Sequence, residues 1–265
     1  MSFNGQSIAI TGASSGLGLH LAREFSAQGA RVAMMARDEA RLKKSGTECD
    51  GDPLLFAGDV TSENDCKIFI EKVTAEFGGL DHLIANAGQS MWAQFEDVED
   101  LALYRRLLEV NFLGAVHCIH PALAALKKSS GQVVVVSSIQ AQVGVPFHSG
   151  YGASKHALEG FIDALRCELA DTGINFLNAY PHWIRGTNLR QHALGHDSEP
   201  MGDRKRAHNS SGVTVEECAA AIQSAMARRR QTLYLPWTLR YVQIIKNIFP
   251  GFARWAIRRK VGGQK

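Results

Sequence analysis

Cysteine is sparse and poorly placed for pairing. The five thiols (Cys49, Cys66, Cys118, Cys167, Cys218) are odd in number and form no C-x-x-C pair. That argues against a disulfide framework and against a metal site built on thiolates, and for reduced thiols in a cytoplasmic setting. Long apolar runs are missing as well. Nothing approaches the roughly 18 uninterrupted apolar residues of a membrane-spanning helix, and only residues 1–6 precede the first strand-like run, so no leader is expected. Low-complexity linkers and internal repeats are absent, and the 265 residues read as a single domain. Acidic residues stop altogether at Glu217. Residues 218–265 hold ten Lys/Arg and no Asp/Glu, while the remainder holds nineteen basic against twenty-six acidic residues. The net charge of +3 therefore hides an acidic body and a strongly basic tail.

What is present is a regular alternation of periods. Ser7–Thr11, Arg31–Ala36, Leu54–Ala57, 81–85, Gln132–Val136, 175–179 and Thr232–Leu235 are short apolar runs rich in β-formers. Helical periodicity separates them over 16–28, 64–77, a long stretch 100–128, 151–170 and 214–228. Apolar strands alternating with helices predict an α/β fold: one Rossmann-type, doubly wound parallel sheet with helices on both faces. The segment 186–212, rich in His, Asn, Gly, Ser and charge, is the expected substrate loop, and 237–265 a basic amphipathic extension.

The first strand runs into Thr11-Gly12-Ala13-Ser14-Ser15-Gly16-Leu17-Gly18. Glycines at a strand-to-helix turn let the backbone approach a pyrophosphate, which the helix N-terminus stabilises. The spacing is G-x-x-x-G-x-G rather than G-x-G-x-x-G. The second strand ends at Ala36, where a carboxylate would take the ribose hydroxyls of NAD, and Arg37 follows. A guanidinium matches the 2′-phosphate of NADP, so the pair favours NADP over NAD. Asp38 is expected to cap the next helix. Asp59-Val60 and Asn86-Ala87-Gly88 follow the third and fourth strands, where the sheet delivers residues to its carboxyl-end crevice.

Tyr151 and Lys155 are four apart at the start of a helix and share a face. A tyrosine titrates near pH 10; a neighbouring ammonium and the positive ring of an oxidised nicotinamide would lower that value and make it a usable acid/base. Ser138, just past a strand, can hold a substrate oxygen.

With these residues the chain resembles the short-chain dehydrogenase/reductase family, in its short, non-extended branch, over residues 7–187. The family's T-G-x-x-x-G-x-G stands as Thr11 to Gly18, its N-A-G as Asn86-Ala87-Gly88, its helix asparagine as Asn111, its serine as Ser138 and its Y-x-x-x-K as Tyr151 to Lys155. The resemblance implies hydride transfer between a nicotinamide and a substrate carbon, with Tyr151 moving the proton. It further implies that Lys155 binds the nicotinamide ribose, Ser138 orients the carbonyl, and Asn111 holds a water in a relay with Lys155. Pro181 and Ile184 match the family's loop after the sixth strand, but His182 replaces its glycine and Thr187 arrives one position late. The implied enzyme interconverts an alcohol and a carbonyl on a small, hydrophobic molecule such as a steroid, retinoid or lipid. The alternative is a non-catalytic NADP-binding sensor, which would be expected to lack Tyr or Lys.

Two surfaces point to partners. Ala153, Ala157, Gly160, Ala164 and Cys167 form a small-residue stripe beside the bulky Leu158, Phe161, Leu165 and Leu169; relatives pair this helix with a second subunit, so a homodimer or homotetramer is expected. In the tail, Leu239, Val242, Ile245, Phe249, Phe252 and Trp255 recur at three to four residues among Arg240, Lys246, Arg254, Arg258 and Arg259, with Pro250-Gly251 as a break. Such a segment either packs on the body or lies on an anionic membrane, making the enzyme cytoplasmic but peripheral to the bilayer. No nucleic-acid motif accompanies the basic charge, so no nucleic-acid partner is expected.

Overall fold

The computed structural model describes residues 3–187, 189, 191–202 and 212–262. Its elements in chain order are β1 (Ser7–Thr11), α1 (Gly16–Ala27), β2 (Arg31–Ala36), α2 (Glu39–Gly46), β3 (Leu54–Ala57), α3 (Glu63–Phe77), β4 (His82–Ala85), α4 (Ala102–Leu108) and α5 (Gly114–Ser129). They continue with β5 (Gln132–Val136), α6 (Ser149–Glu168), β6 (Asn175–Pro181), β7 (Ile184–Arg185), β8 (Val213–Thr214), α7 (Val215–Ala227), β9 (Thr232–Leu235), α8 (Arg240–Ile248) and α9 (Pro250–Gly262).

Seven strands form one sheet in the order β3-β2-β1-β4-β5-β6-β9, every neighbouring pair parallel. The order reverses between β1 and β4, the topological switch point where such sheets bind nucleotides. Period-2 alternation sorts the strand side chains to two faces. Ile8, Ile10, Met34 and Val134 pack under α1 and α7; Ala9, Met35, Leu83 and Val133 pack under α3, α5 and α6. Both faces are covered, which is why the strands read as continuous apolar runs rather than alternating ones.

Three features depart from the linear reading. The long helix of 100–128 is two helices joined through a π turn, Glu109–Leu113, at Asn111; such turns cluster at functional sites because they re-aim a side chain. By length and composition Ala102–Ser129 could cross a bilayer, yet Leu103, Leu107, Cys118, Ile119, Ala122 and Leu126 are buried in the core. The expected substrate loop is held down where it is described. Leu194 is buried and exchanges backbone hydrogen bonds with Ser90 and Trp92, and β7 pairs with β8 to close the base of the excursion.

Candidate active site

The turns after β1 and β4 build one wall of the site. Gly12 and Gly16 hold the left-handed backbone, φ 65° and 54°, which glycine alone adopts without penalty. Gly18 is needed for proximity, since a Cβ there would lie 2.4 Å from the Gly12 carbonyl oxygen. Thr11 Oγ1 accepts from the N–H of Asn86 and Ala87 at 3.1 and 3.0 Å. Asn86 Nδ2 in return donates to the Thr11 and Gly12 carbonyls at 3.0 and 3.3 Å. The asparagine therefore ties the two turns together. At the start of α1 no side chain caps the helix and no acidic residue occupies the first turn, so its N–H groups and positive dipole end are left for an anion.

From there a cavity of about 990 Å³ follows the carboxyl end of the sheet. It collects Gly12, Ser14, Ser15, Gly16 and Leu17, then Arg37, Asp59, Val60, Asn86, Ala87 and Gly88, then Ser138, Tyr151, Lys155, Pro181, Ile184 and Thr187. Gly18 and Asn111 stand behind the wall and shape it. Arg37 leaves β2 largely exposed, its guanidinium 3.9 Å from the Asp59 carboxylate. Asp38 caps α2, accepting from the Arg41 N–H at 2.9 Å. Arg41 also lines the cavity; it is a second cation that strand-end reasoning passed over, though it lies one helical turn beyond the cap. Thr187 Oγ1 donates to the Ile184 carbonyl at 3.2 Å, and its methyl sits 3.4 Å from where a Gly16 Cβ would be. The late threonine thus reaches the glycine turn.

At the other end, β5 delivers Ser138 and α6 delivers Tyr151 and Lys155, all buried. Ser138 Oγ accepts from the Gln140 N–H at 3.2 Å and its hydroxyl hydrogen-bonds the Tyr151 phenol. Lys155 Nζ donates to the Val136 carbonyl at 3.0 Å and lies 5.8 Å from the centre of the Tyr151 ring. Asn111 is buried, and both ends of its amide are engaged: Oδ1 accepts from the Gln89 N–H at 2.8 Å, and Nδ2 donates to the Gln89 carbonyl and Ser154 Oγ at 2.8 and 2.9 Å. Its side chain clamps the loop after β4 to α6.

Burial dominates the electrostatics of the protein alone. Burial pushes the Tyr151 phenol up to about 12, the Ser138 hydrogen bond pulling the other way. Burial likewise brings the Lys155 ammonium down to about 8. The expected lowering rested on the ammonium together with the ring of an oxidised nicotinamide; in the protein alone, desolvation of the phenolate wins. The protein by itself keeps Tyr151 protonated.

The rest of the cavity is largely apolar and aromatic, with Gln89, Arg106, Gln140, His182 and His192 among its lining, and sequence reasoning had named little of it. Trp92 stacks on Phe147 at 5.0 Å and meets His148 edge-on at 5.1 Å, with His148 6.3 Å from Tyr151. Val143, Val145, Trp183, Leu189 and Pro200 continue the lining. Leu239, Val242, Ala256, Ile257 and Val261 of the tail close the open side.

A parallel sheet reversing at β1/β4, a glycine turn there, and a buried Ser-Tyr-Lys set beyond β5 together define a Rossmann-type oxidoreductase working with a nicotinamide cofactor. The chain belongs to the short-chain dehydrogenase family, whose model matches residues 6–197. It is 34% identical over 253 residues to 11-beta-hydroxysteroid dehydrogenase-like 2 of Arabidopsis thaliana, covering 93% of this chain and 78% of that one. Among solved structures it is similar to a short-chain dehydrogenase from Streptomyces avermitilis (26% identity, TM-score 0.79, 97% of both chains). It also shares its fold with an alcohol dehydrogenase from the archaeon Thermococcus sibiricus complexed with 5-hydroxy-NADP (24% identity, TM-score 0.72, 86% of this chain and 95% of that one).

Proposed function

We propose that this protein is an NADP(H)-dependent oxidoreductase that interconverts an alcohol and a carbonyl on a hydrophobic, steroid-, retinoid- or lipid-like substrate, with Tyr151 as acid/base. The observation that carries the reading is the buried Tyr151 phenol, bonded to Ser138 and adjoining Lys155, at the inner end of a largely apolar cavity. When bound, the nicotinamide supplies or accepts the hydride.

The glycine turn and the uncapped start of α1 hold the pyrophosphate, and Lys155 the ribose hydroxyls. Arg37, with Arg41 beside it, takes the 2′-phosphate; Asp38, which caps α2 and lies 3.7 Å from the Arg41 guanidinium, lines the same cavity. Ser138 donates to the substrate oxygen and sets it against the phenol. Tyr151 then gives its proton to that oxygen during reduction and takes it back during oxidation. A phenol held at about 12 is poised as the acid; removing its proton needs the extra positive charge of an oxidised nicotinamide nearby. Trp92, Val143, Val145 and Trp183 exclude water and select an apolar substrate, in keeping with relatives named as hydroxysteroid dehydrogenases.

Assembly into a homodimer or homotetramer belongs to the same proposal. Ala153, Gly160, Ala164 and Cys167 all lie exposed on the outer side of α6, and Leu108 and Leu113 stand out from the neighbouring helices. The deciding experiment is turnover of NADPH by purified protein against steroid, retinal and long-chain carbonyls. Tyr151→Phe abolishes it and leaves NADPH binding intact; a near wild-type rate in that variant overturns the assignment.

A further inference from the structure

The tail was open to two readings, packing on the body or lying on a membrane, and the structure gives it two working faces. α8 and α9 pack against each other as a hairpin, with Pro250 as the first residue of α9, the helical position that tolerates proline. The inner face lines the cavity through Leu239, Val242, Ala256, Ile257 and Val261, and Lys246 Nζ fastens it to the Gln142 carbonyl at 2.7 Å. The outer face is uncovered. Trp237, Ile244, Ile248, Phe249, Phe252 and Trp255 are all more than half exposed. Of the fourteen large apolar side chains exposed among the described residues, eight fall between Trp237 and Trp255. Scattered apolar residues on a surface need no explanation, but this concentration does.

We propose that this outer face docks the enzyme on an anionic lipid bilayer, with the hairpin lying in the interface and the mouth of the cavity held against the lipid. Charge singles out this occupant. The hairpin carries Arg240, Lys246, Arg254, Arg258 and Arg259 and no acidic residue. A second copy of the chain pressed against the same face would set these cations against their like. The guanidinium of Arg240 lies 5.1 Å over Trp237 and 4.8 Å over Tyr241, and that of Arg259 lies 5.4 Å over Trp255. Cations held level with aromatic rings suit the headgroup boundary, where rings take the interface and guanidinia meet phosphate. The acidic body does not defeat the attraction, because charges beyond a Debye length of ~8 Å are screened at physiological salt.

Neither helix is long enough to span a bilayer, at nine and thirteen residues against the ~20 required, so the hairpin lies in the surface. Because the same two helices line the cavity, a substrate dissolved in lipid enters past them without crossing water. That last step rests on the proposed hydrophobic substrate; the docking itself does not.

The test is flotation of the full chain with phosphatidylcholine vesicles, with and without phosphatidylglycerol, at low and high salt. The protein is expected to float with the mixed vesicles only, and to bind at least ~10-fold more weakly in high salt. Its tryptophan emission should shift to the blue on binding. Phe252→Ser with Trp255→Ser, both exposed, should lose vesicle binding with unchanged thermal unfolding. Arg254→Glu with Arg258→Glu should lose the preference for anionic lipid. Tyr151→Phe should float like wild type, which separates failure of the docking from failure of the activity. Full-length protein that stays unbound at low salt, or that binds both vesicle types equally, overturns the proposal. So does a vesicle-free dimer abolished by Phe252→Ser with Trp255→Ser, which would make the face an interface between copies.

Discussion

Lys155 donates its ammonium to the Val136 carbonyl across 3.0 Å, fastening α6 to the end of β5. A cation is held there in a site that works against its charge, since burial brings its pKa down to about 8 while Tyr151 stays protonated to about 12. Between those two values the site keeps its acid and loses its cation.

The pH profile follows. With kcat/KM for NADPH reporting the free enzyme, carbonyl reduction is expected to be level in mildly acidic and neutral buffer. It should fall as pH rises through about 8, when Lys155 gives up its proton. Lys155→Arg should remove that limb whatever its effect on the plateau. A wild-type profile level to pH 10 would be incompatible with the assignment.

Cofactor choice turns on Arg37. Losing one charge-assisted phosphate contact costs about 1.5–3 kcal/mol, or roughly ten- to a hundredfold in affinity. Arg37→Ala should raise the Kd for NADPH by that factor and leave NADH unchanged, as read by titration of the reduced cofactor's fluorescence. Equal losses for both cofactors would remove Arg37 from the 2′-phosphate.

Gly18 tests the close approach of helix and turn. A Cβ there meets the Gly12 carbonyl oxygen at 2.4 Å, a clash with backbone that a rotamer change cannot relieve. Gly18→Ala is expected to cost about 1–3 kcal/mol by overpacking and to weaken cofactor binding as the turn shifts. Thermal melts with and without NADPH read both; an unchanged melt would mean that α1 moves freely on the sheet.

His82 sets an acid limit on stability. It is buried, its Nε2 bonded to Gln6 Oε1 at 2.8 Å, and desolvation holds its pKa down at about 4. The unfolded chain takes up this proton near 6.5 and the folded one only near 4. Stability from the neutral ring is thus whole above 6.5 and is lost as pH falls to about 4, by about 3 kcal/mol. His82→Gln should flatten the decline of Tm across that window, and a parallel decline in both proteins would exclude the histidine.

Assembly can be read by light scattering. The exposed Ala153, Gly160 and Ala164 stripe predicts a mass of two or four chains at micromolar concentration, and Gly160→Arg, placed where no other atom lies within 4 Å, should reduce it to one. A wild-type protein of single-chain mass removes the interface.

Much of this was legible along the chain. Ser7–Thr11, Arg31–Ala36, Leu54–Ala57, Gln132–Val136 and Thr232–Leu235 fall where their apolar runs place them, because strands of a sheet covered on both faces are rich in apolar β-formers. Asp38 caps α2, as expected from an acid before a helix. Arg41 and the Trp92–Phe147–His148 arm were not legible, since they reach the cavity by folding back from elements whose local patterns say nothing about direction.

Local sequence determined the order of strands and helices, the glycine turn, and the presence of Ser138, Tyr151 and Lys155 at the carboxyl end of the sheet. These depend on period, on backbone conformations few residues can adopt, and on spacing within one turn of helix. The tertiary structure decided what those groups are in place: a phenol raised by burial, an Asn111 amide spent as a clamp at a π turn, a basic tail with one face in the cavity and the other bare. The physical reason is common to all three. Desolvation and hydrogen-bond partnership depend on which atoms surround a group, and its neighbours along the chain supply only a few of them.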